Sequence, residues 1–177
     1  MDLRVKRTQK NIREAFFRLR KKKNLDKISV KELSEKAMIN KATFYLHYKD
    51  VYDLSEKLEN ELIASMIDEV RSYDLRKGRS EFRGFAEKLS KTIIENSSEI
   101  KTLFSGYEDN HFINRFEDKL KDYIFRSFPN IPNNNEINIA LSLFIQGAYH
   151  SHIRNHLIAP DVRVSVTTNL FMKMIDA

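Results

Sequence analysis

Residues 29–50 read SVKELSEKAMINKATFYLHYKD and contain two short helical patterns separated by about three residues. Ser29 stands three residues before Glu32, the spacing of a capping box at a helix N-terminus. Asn40 is a second capping-type residue, and the pattern it opens runs to about residue 46. The stretch therefore predicts a helix-turn-helix, with helices over about 29–36 and 41–46.

On both sides of this unit, apolar residues recur every three to four positions, the spacing of a helix with one buried face. Asp50 is a capping-type residue for the following helix, and the stretch 129–135 (PNIPNNN) is a clear break. Residues 162–166 alternate apolar and polar like a strand, but no partner strand is evident, so we expect a helix there. The patterns predict helices over about 6–23, 29–36, 41–46, 51–72, 80–96, 98–105, 110–127, 136–156 and 161–175.

The basic side chains are concentrated at the N-terminus. The chain has 177 residues and a net charge of +6. Residues 1–50 hold 15 of its 31 Lys and Arg but 6 of its 25 Asp and Glu, so they carry a net charge of +9 and the remainder carries −3. A basic block of this kind is typical of a protein that binds a polyanion such as nucleic acid, although a solubilising surface is the alternative.

The second short helix supplies side chains suited to reading DNA. In a helix-turn-helix this helix enters the major groove, with its N-terminal residues nearest the bases. Phe44 is placed to pack inward, so its neighbours Lys41, Ala42, Thr43 and Tyr45 can face outward. Lys41 can donate to guanine, and Ala42 and the Thr43 methyl can contact thymine methyl groups. The hydroxyls of Thr43 and Tyr45, together with His47 and Lys49, suit phosphate.

These residues resemble the DNA-binding module of TetR/AcrR-type transcriptional regulators. Thr43, Phe44, Tyr45, His47, Tyr48 and Lys49 match the pattern of that family in register, and the match covers about residues 5–65. The resemblance implies a recognition helix over about 40–46 that begins at Asn40, with Lys31 near a phosphate. One position departs from the pattern, because Met38 stands in the turn where the family usually has glycine.

The resemblance also implies an all-α homodimer of about nine helices. A three-helix module over 1–50 would bind DNA, and a body over 51–177 would sense a ligand and dimerise through its last two helices. The expected dimer contacts are Leu141, Phe144, Gly147, Ala148, Leu170, Phe171 and Met174. Loose candidates for the lining of an effector pocket are Phe104, Tyr107, His111, Tyr123, Phe144 and Tyr149. Independently, the helix over 136–156 is apolar on more than one face, which suggests burial against a second subunit or an ordinary core position.

Other functions find less support in the sequence. The chain has no cysteine, and we find no nucleophile motif, phosphate loop or metalloprotease motif, so we expect no enzyme activity, cofactor or metal. His152 and His156 lie one helical turn apart, but no carboxylate joins them at ligand spacing. With neither a leader peptide nor a membrane span evident, we expect a cytoplasmic protein.

Together with the basic helix-turn-helix, the resemblance implies a ligand-responsive repressor that acts as a homodimer on a palindromic double-stranded DNA operator. It would have an unknown small-molecule effector and no membrane partner. The alternative is an interaction or co-activator protein that keeps the fold without regulated operator binding.

Overall fold

The computed structural model describes residues 3–105 and 110–175, and within those ranges all regular structure is helical. None of the described helices is long and apolar enough to cross a lipid bilayer. The nine α-helices are α1 (Leu3–Arg20), α2 (Val30–Ala37), α3 (Lys41–Tyr45), α4 (Val51–Asp68), α5 (Arg79–Glu95), α6 (Ser97–Phe104), α7 (His111–Ser127), α8 (Asn135–Arg154) and α9 (Pro160–Ile175). The predicted all-α class and number of helices are confirmed for this part of the chain.

Three predicted caps set the beginnings of α2, α3 and α4. The Ser29 hydroxyl accepts from the backbone N–H of Glu32 at 3.2 Å, and the Asn40 side chain accepts from that of Thr43 at 2.7 Å. Asp50 accepts from the N–H of Asp53 at 2.8 Å. Each bond satisfies a backbone donor that has no partner inside the helix, so local chemistry defines these helix starts.

Most helix boundaries lie within a few residues of the prediction, and the differences are local. α1 begins at Leu3 rather than near residue 6, and α4 ends at Asp68 rather than near residue 72. Short 3₁₀ helices over Leu25–Lys27 and Leu75–Lys77 occupy stretches where the periodicity predicted only breaks. Each buries one leucine, Leu25 or Leu75, and a single buried residue gives no periodic signal.

The strand-like stretch 162–166 is helical, as expected, and the structure explains its alternation. Val164 is buried, whereas Val162 and Val166 are half exposed. Positions four residues apart share a helix face, and the residue midway between them points nearly the opposite way. The period of two therefore reflects one apolar residue in the core and two on a separate, uncovered face of α9.

The described residues fall into two compact units. The first comes from the ranges Met1–Leu62 and Glu99–Glu108, and the second from Ile63–Ser98 and Asp109–Ala177. The first core contains Phe16 of α1, Leu33 of α2, Phe44 of α3, Leu54 of α4 and Leu103 of α6, none of them exposed. The second core is formed by buried residues of α5, α7, α8 and α9 with the C-terminal half of α4. The division at residue 50 that the sequence suggested stays a prediction.

Candidate nucleic-acid interface

Helix α3 has one buried face and one exposed face. Phe44 is fully buried, and its ring contacts those of Tyr45 and Tyr48 with centroids 5.6 Å away in each case. Tyr45, the next residue, is 56% exposed. Burying the phenylalanine ring contributes roughly 1.5–3 kcal/mol, which fixes the rotation of this short helix about its axis. The polar side of α3 is thereby held toward solvent.

The N-terminal end of α3 is held by Asn40. Its side-chain oxygen accepts from both the backbone N–H and the hydroxyl of Thr43, at 2.7 and 2.8 Å. Lys41 and Ala42 lie between these two residues and are exposed. The cap therefore leaves the first turn of α3 presenting a cation, a methyl group and a hydroxyl on one small surface.

The C-terminal end of α3 is joined to α4 by hydrogen bonds. The Lys57 ammonium donates to the backbone oxygen of His47 at 3.2 Å and to the Asp53 carboxylate at 2.9 Å, and it lies 5.1 Å from the centre of the Tyr48 ring. Asp53 also accepts from the backbone N–H of Lys49 at 2.9 Å. That backbone bond and the ammonium of Lys57 hold the pKa of Asp53 below its usual value. The carboxylate therefore remains ionised as an anchor.

The turn between α2 and α3 accepts backbone strain. Met38 has φ 56° and ψ 46°, the left-handed conformation, and its side chain is 87% exposed. The N–H groups of Met38 and Ile39 donate to the oxygens of Glu35 and Ser34 at 3.2 and 3.0 Å, the two bonds of a Schellman motif. A non-glycine residue pays about 1–2 kcal/mol for this conformation. The missing glycine has therefore not changed the turn; the chain keeps the motif at an energetic cost.

Most of the basic side chains in residues 3–62 fall into two groups. The first have an acidic partner within 4 Å and are partly neutralised: Lys10, Arg13, Arg18, Lys23, Lys27 and Lys57. The second group has no acidic partner within 4 Å among residues 3–105 and 110–175: Lys6, Arg7, Lys21, Lys22, Lys31, Lys36, Lys41 and Lys49. Half of the second group lies on or next to α2 and α3. These cations can neutralise phosphates without first breaking an internal ion pair.

The residues that the sequence assigned to DNA differ in accessibility. Six are exposed: Lys31, Asn40, Lys41, Ala42, Tyr45 and Lys49. Thr43, His47 and Tyr48 are half-buried. Burial raises the pKa of the Tyr48 hydroxyl. Its ring contacts both Phe44 and Lys57, so Tyr48 also packs α3 against the rest of the first unit.

Sequence reasoning missed two residues of this region. Leu46 is largely exposed at the end of α3, where the apolar pattern gave no reason to expect an uncovered leucine. Lys57 lies on α4, ten residues from His47, and only the (i, i+4) spacing from Asp53 hinted at a pair.

A second exposed surface, in the other unit, is apolar. An open groove of about 420 Å³ runs between α8 and α9. Leu143 and Val166 line it and are 59% and 52% exposed, and Gly147 and Leu170 lie beside them. Of the expected dimer contacts, Phe144 and Ala148 are buried within the chain, and Leu141 and Phe171 are half-buried. The side chain of Met174 lies outside the described part of the structure. The periodicity identified apolar helices but not the face left uncovered.

The expected effector-pocket residues are dispersed among different ring partners. Tyr123 packs edge-on against Phe128, Phe144 stacks on Phe171, and Tyr149 contacts Phe112. Phe104 is buried in the first unit, and His111 is half-buried at the start of α7. Tyr107 lies outside the described residues. Pocket-lining roles for these six residues stay predictions.

The histidine pair considered for metal is split by burial. His152 is buried, and burial together with the charge of Arg163 lowers its pKa to about 4. His156 is exposed, and a ring nitrogen lies 3.2 Å from the backbone oxygen of Ile153. Within the described ranges, no cluster of three or more His, Asp or Glu side chains is arranged to hold a metal ion.

Comparison with solved structures identifies the fold. No family model matches the chain, and no curated protein matches it. A TetR-family transcriptional regulator from Haemophilus influenzae has a similar structure, with a TM-score of 0.64, 17% sequence identity and coverage of 97% of this chain and 98% of that one. The fold is that of the TetR-type regulators.

Two further structures agree on this TetR-type fold. The dihydroxyacetone kinase operon activator DhaS matches with a TM-score of 0.62 at 19% identity, over 96% of both chains. A TetR family transcription regulator from Marinobacter aquaeolei matches with a TM-score of 0.60 at 19% identity, over 98% of this chain and 97% of that one. At these identities the likeness establishes the TetR-type fold and leaves function to the residues of this chain.

Proposed function

We propose that this protein is a sequence-specific DNA-binding transcriptional regulator that acts as a homodimer. The observation that carries the proposal is the surface of α3, where Lys41, Ala42, Thr43 and Tyr45 surround a buried Phe44 and cations without acidic partners adjoin. Side chains of this kind pair with base edges in the major groove, while the lysines suit phosphates. The TetR-type fold supports the same assignment.

The dimer would form at the α8–α9 groove. Leu143, Val166 and Leu170 leave apolar side chains uncovered there, and removing such surface from water stabilises association. A two-fold dimer requires a palindromic operator, because both α3 helices must enter major grooves on one DNA face, about 34 Å or a multiple of it apart.

We expect fluorescence anisotropy with DNA from upstream of the protein's own gene to detect binding that weakens steeply with salt. Tyr45→Ala and Lys49→Ala should each weaken binding with the dimer intact. Lys49→Ala should also reduce the slope of log affinity against log salt by about one, because one phosphate contact is lost. Lys91→Ala, at an exposed lysine of α5 in the second unit, is the control for charge. Unchanged operator affinity in both test variants would exclude the assignment.

Ligand-dependent repression is the finer part of the proposal. A small-molecule effector bound in the C-terminal unit would change operator affinity, and by linkage DNA would change effector affinity by the same factor. A metabolite screen by thermal shift, followed by operator binding with each stabilising compound, tests this. A compound that raises Tm but leaves operator affinity unchanged is not the effector.

A co-activator role is the second candidate, because one structural neighbour is named as an operon activator. Such a protein would dimerise and bind another regulator without binding an operator itself. A stable dimer that shifts no upstream DNA would support this role, whereas a sequence-specific shift would exclude it.

A further inference from the structure

Helix α3 is too short to set its own direction. It has five residues, and isolated helices below about 12–15 residues are marginal in water. The Asn40 cap bonds to Thr43 of α3 itself and so does not orient the helix against other helices, and Phe44 fixes mainly its rotation. The direction of α3 therefore depends on the turn that joins it to α2 and on contacts at its C-terminal end, where the chain turns into α4.

Lys57 makes those contacts. Its ammonium touches the backbone oxygen of His47, the carboxylate of Asp53 and the ring of Tyr48, and Asp53 in turn accepts from the N–H of Lys49. Three consecutive residues after α3 are thus held by one pair of side chains, one turn apart on α4. We call Lys57 and Asp53 together the α4 clamp.

The contacts of the clamp occupy most of the hydrogen-bonding capacity of the Lys57 ammonium. A lysine has three N–H donors, and two of them point to His47 and Asp53 while the cation also lies against the Tyr48 ring. Lys49, by contrast, is exposed and has no acidic partner within 4 Å in the described ranges. The side chain of Lys57 is half exposed, so its ion pair contributes little to folding stability. Its effect is on geometry.

We propose that Lys57 is a positioning residue for the recognition helix: from α4 it holds the end of α3 at the angle needed to read bases, without contacting DNA itself. The inference rests on the proposed function. Because base contacts need that angle and phosphate contacts tolerate variation, the clamp controls the ratio of operator to random-DNA affinity. Lys49, as a phosphate contact, contributes equally to the affinity for the operator and for random DNA.

The test compares Lys57→Met, Lys57→Arg and Lys49→Met by anisotropy on the operator and on random DNA across a salt series. For Lys57→Met we expect operator affinity to fall about tenfold, the equivalent of one charge-assisted hydrogen bond, with the salt slope unchanged. Random-DNA affinity should stay within about twofold, since phosphate contacts dominate it. Lys57→Arg should restore most of the ratio, and Asp53→Asn should lower it.

Each contrary outcome is separate. A salt slope reduced by about one in Lys57→Met would make Lys57 a phosphate contact and overturn the proposal. If the wild type binds the operator and Lys57→Met keeps the same ratio of operator to random-DNA affinity, the positioning role of Lys57 is refuted while the proposed function stands. If Lys57→Met loses this affinity ratio together with a large fall in Tm, and Lys57→Arg does not restore the ratio, Lys57 has only a structural role. Absence of any DNA binding by the wild type would refute the proposed function and the clamp with it.

Discussion

The surface of α3 and the groove between α8 and α9 leave opposite chemistry exposed. On α3 the ring of Phe44 is buried, and lysines and hydroxyls are exposed beside the two uncovered apolar side chains of Met38 and Leu46. Along α8 and α9 the exposed residues include Leu143, Val162 and Val166. A charged partner suits the first surface and an apolar partner suits the second. The proposed DNA contact and the proposed dimer contact would therefore use separate surfaces of one chain.

The largest effect should come from placing charge in the α8–α9 groove. Leu143→Asp combined with Val166→Asp would bury unpaired carboxylates in the dimer, so we expect the dissociation constant to rise by more than about a thousandfold. Sedimentation velocity measures this, and operator affinity should fall with it. Leu157→Asp, at a largely exposed leucine after α8, is the control and should leave the dimer intact. An unaffected double variant would place the dimer contact elsewhere.

Next in size is a contrast between two adjacent residues of α3. Phe44→Ala should lower the free energy of unfolding by about 3–5 kcal/mol, because it leaves a cavity in a closed core. Tyr45→Ala should lower the free energy of unfolding by about 1 kcal/mol or less, since it removes only a half-exposed ring against Phe44, while weakening DNA binding. Denaturant unfolding and anisotropy on both variants separate the two roles. Equal losses of stability would contradict a helix with one structural and one functional face.

A smaller effect should follow from Glu117, which joins α7 to α8. Burial raises its pKa, but hydrogen bonds from Lys121, Ser142 and Gln146, at 2.6–2.7 Å, outweigh that and leave the pKa below its ordinary value of 4.5. A lowered folded-state pKa contributes stability above about pH 4.5, and this contribution is lost as pH falls through the lowered value.

Glu117→Gln should therefore destabilise the protein by about 1–2 kcal/mol at neutral pH. The difference from wild type should shrink as the pH falls toward 3. Unfolding curves at several pH values measure it, with the exposed neighbour Asp118→Asn as control. A difference independent of pH would rule out the ionised carboxylate as its source.

The smallest effect should be a gain. Met38→Gly relieves the left-handed strain in the turn, so we expect stability to rise by about 1 kcal/mol, seen as a higher Tm. Met38→Ala removes the same side chain but keeps the strain and should show no such gain. Equal Tm values for the two variants would mean that the turn is not strained.

Local patterns predicted the parts of the molecule that local chemistry determines. The caps at Ser29, Asn40 and Asp50 and the inward position of Phe44 could be inferred because each depends on residues within one helical turn. The left-handed angle of Met38 could not, since the sequence left open whether the turn would relax. The α4 clamp could not either, because it joins the end of one helix to a side chain ten residues away.

Long-range contacts were the main omission. Buried Arg20 donates to the backbone oxygens of Leu103 and Ser105 at 3.1 and 2.7 Å, across more than 80 residues of sequence. Arg13 pairs with both Glu61 and Glu99. Periodicity places a residue on a helix face but does not say which distant helix covers it. The grouping of α6 with α1–α4 and the uncovered face of α8 therefore needed the structure.

The first unit is discontinuous in sequence, and this limits how it could be transferred. A fragment ending at Leu62 would lack Ile100, Leu103 and Phe104, which complete its apolar core, and the oxygens that Arg20 needs. Cutting the gene at one point would therefore yield an unfinished piece. Recombination could exchange the first unit only together with α6. In a chimera, a foreign second unit would therefore have to be inserted between α4 and α6 and also added after α6.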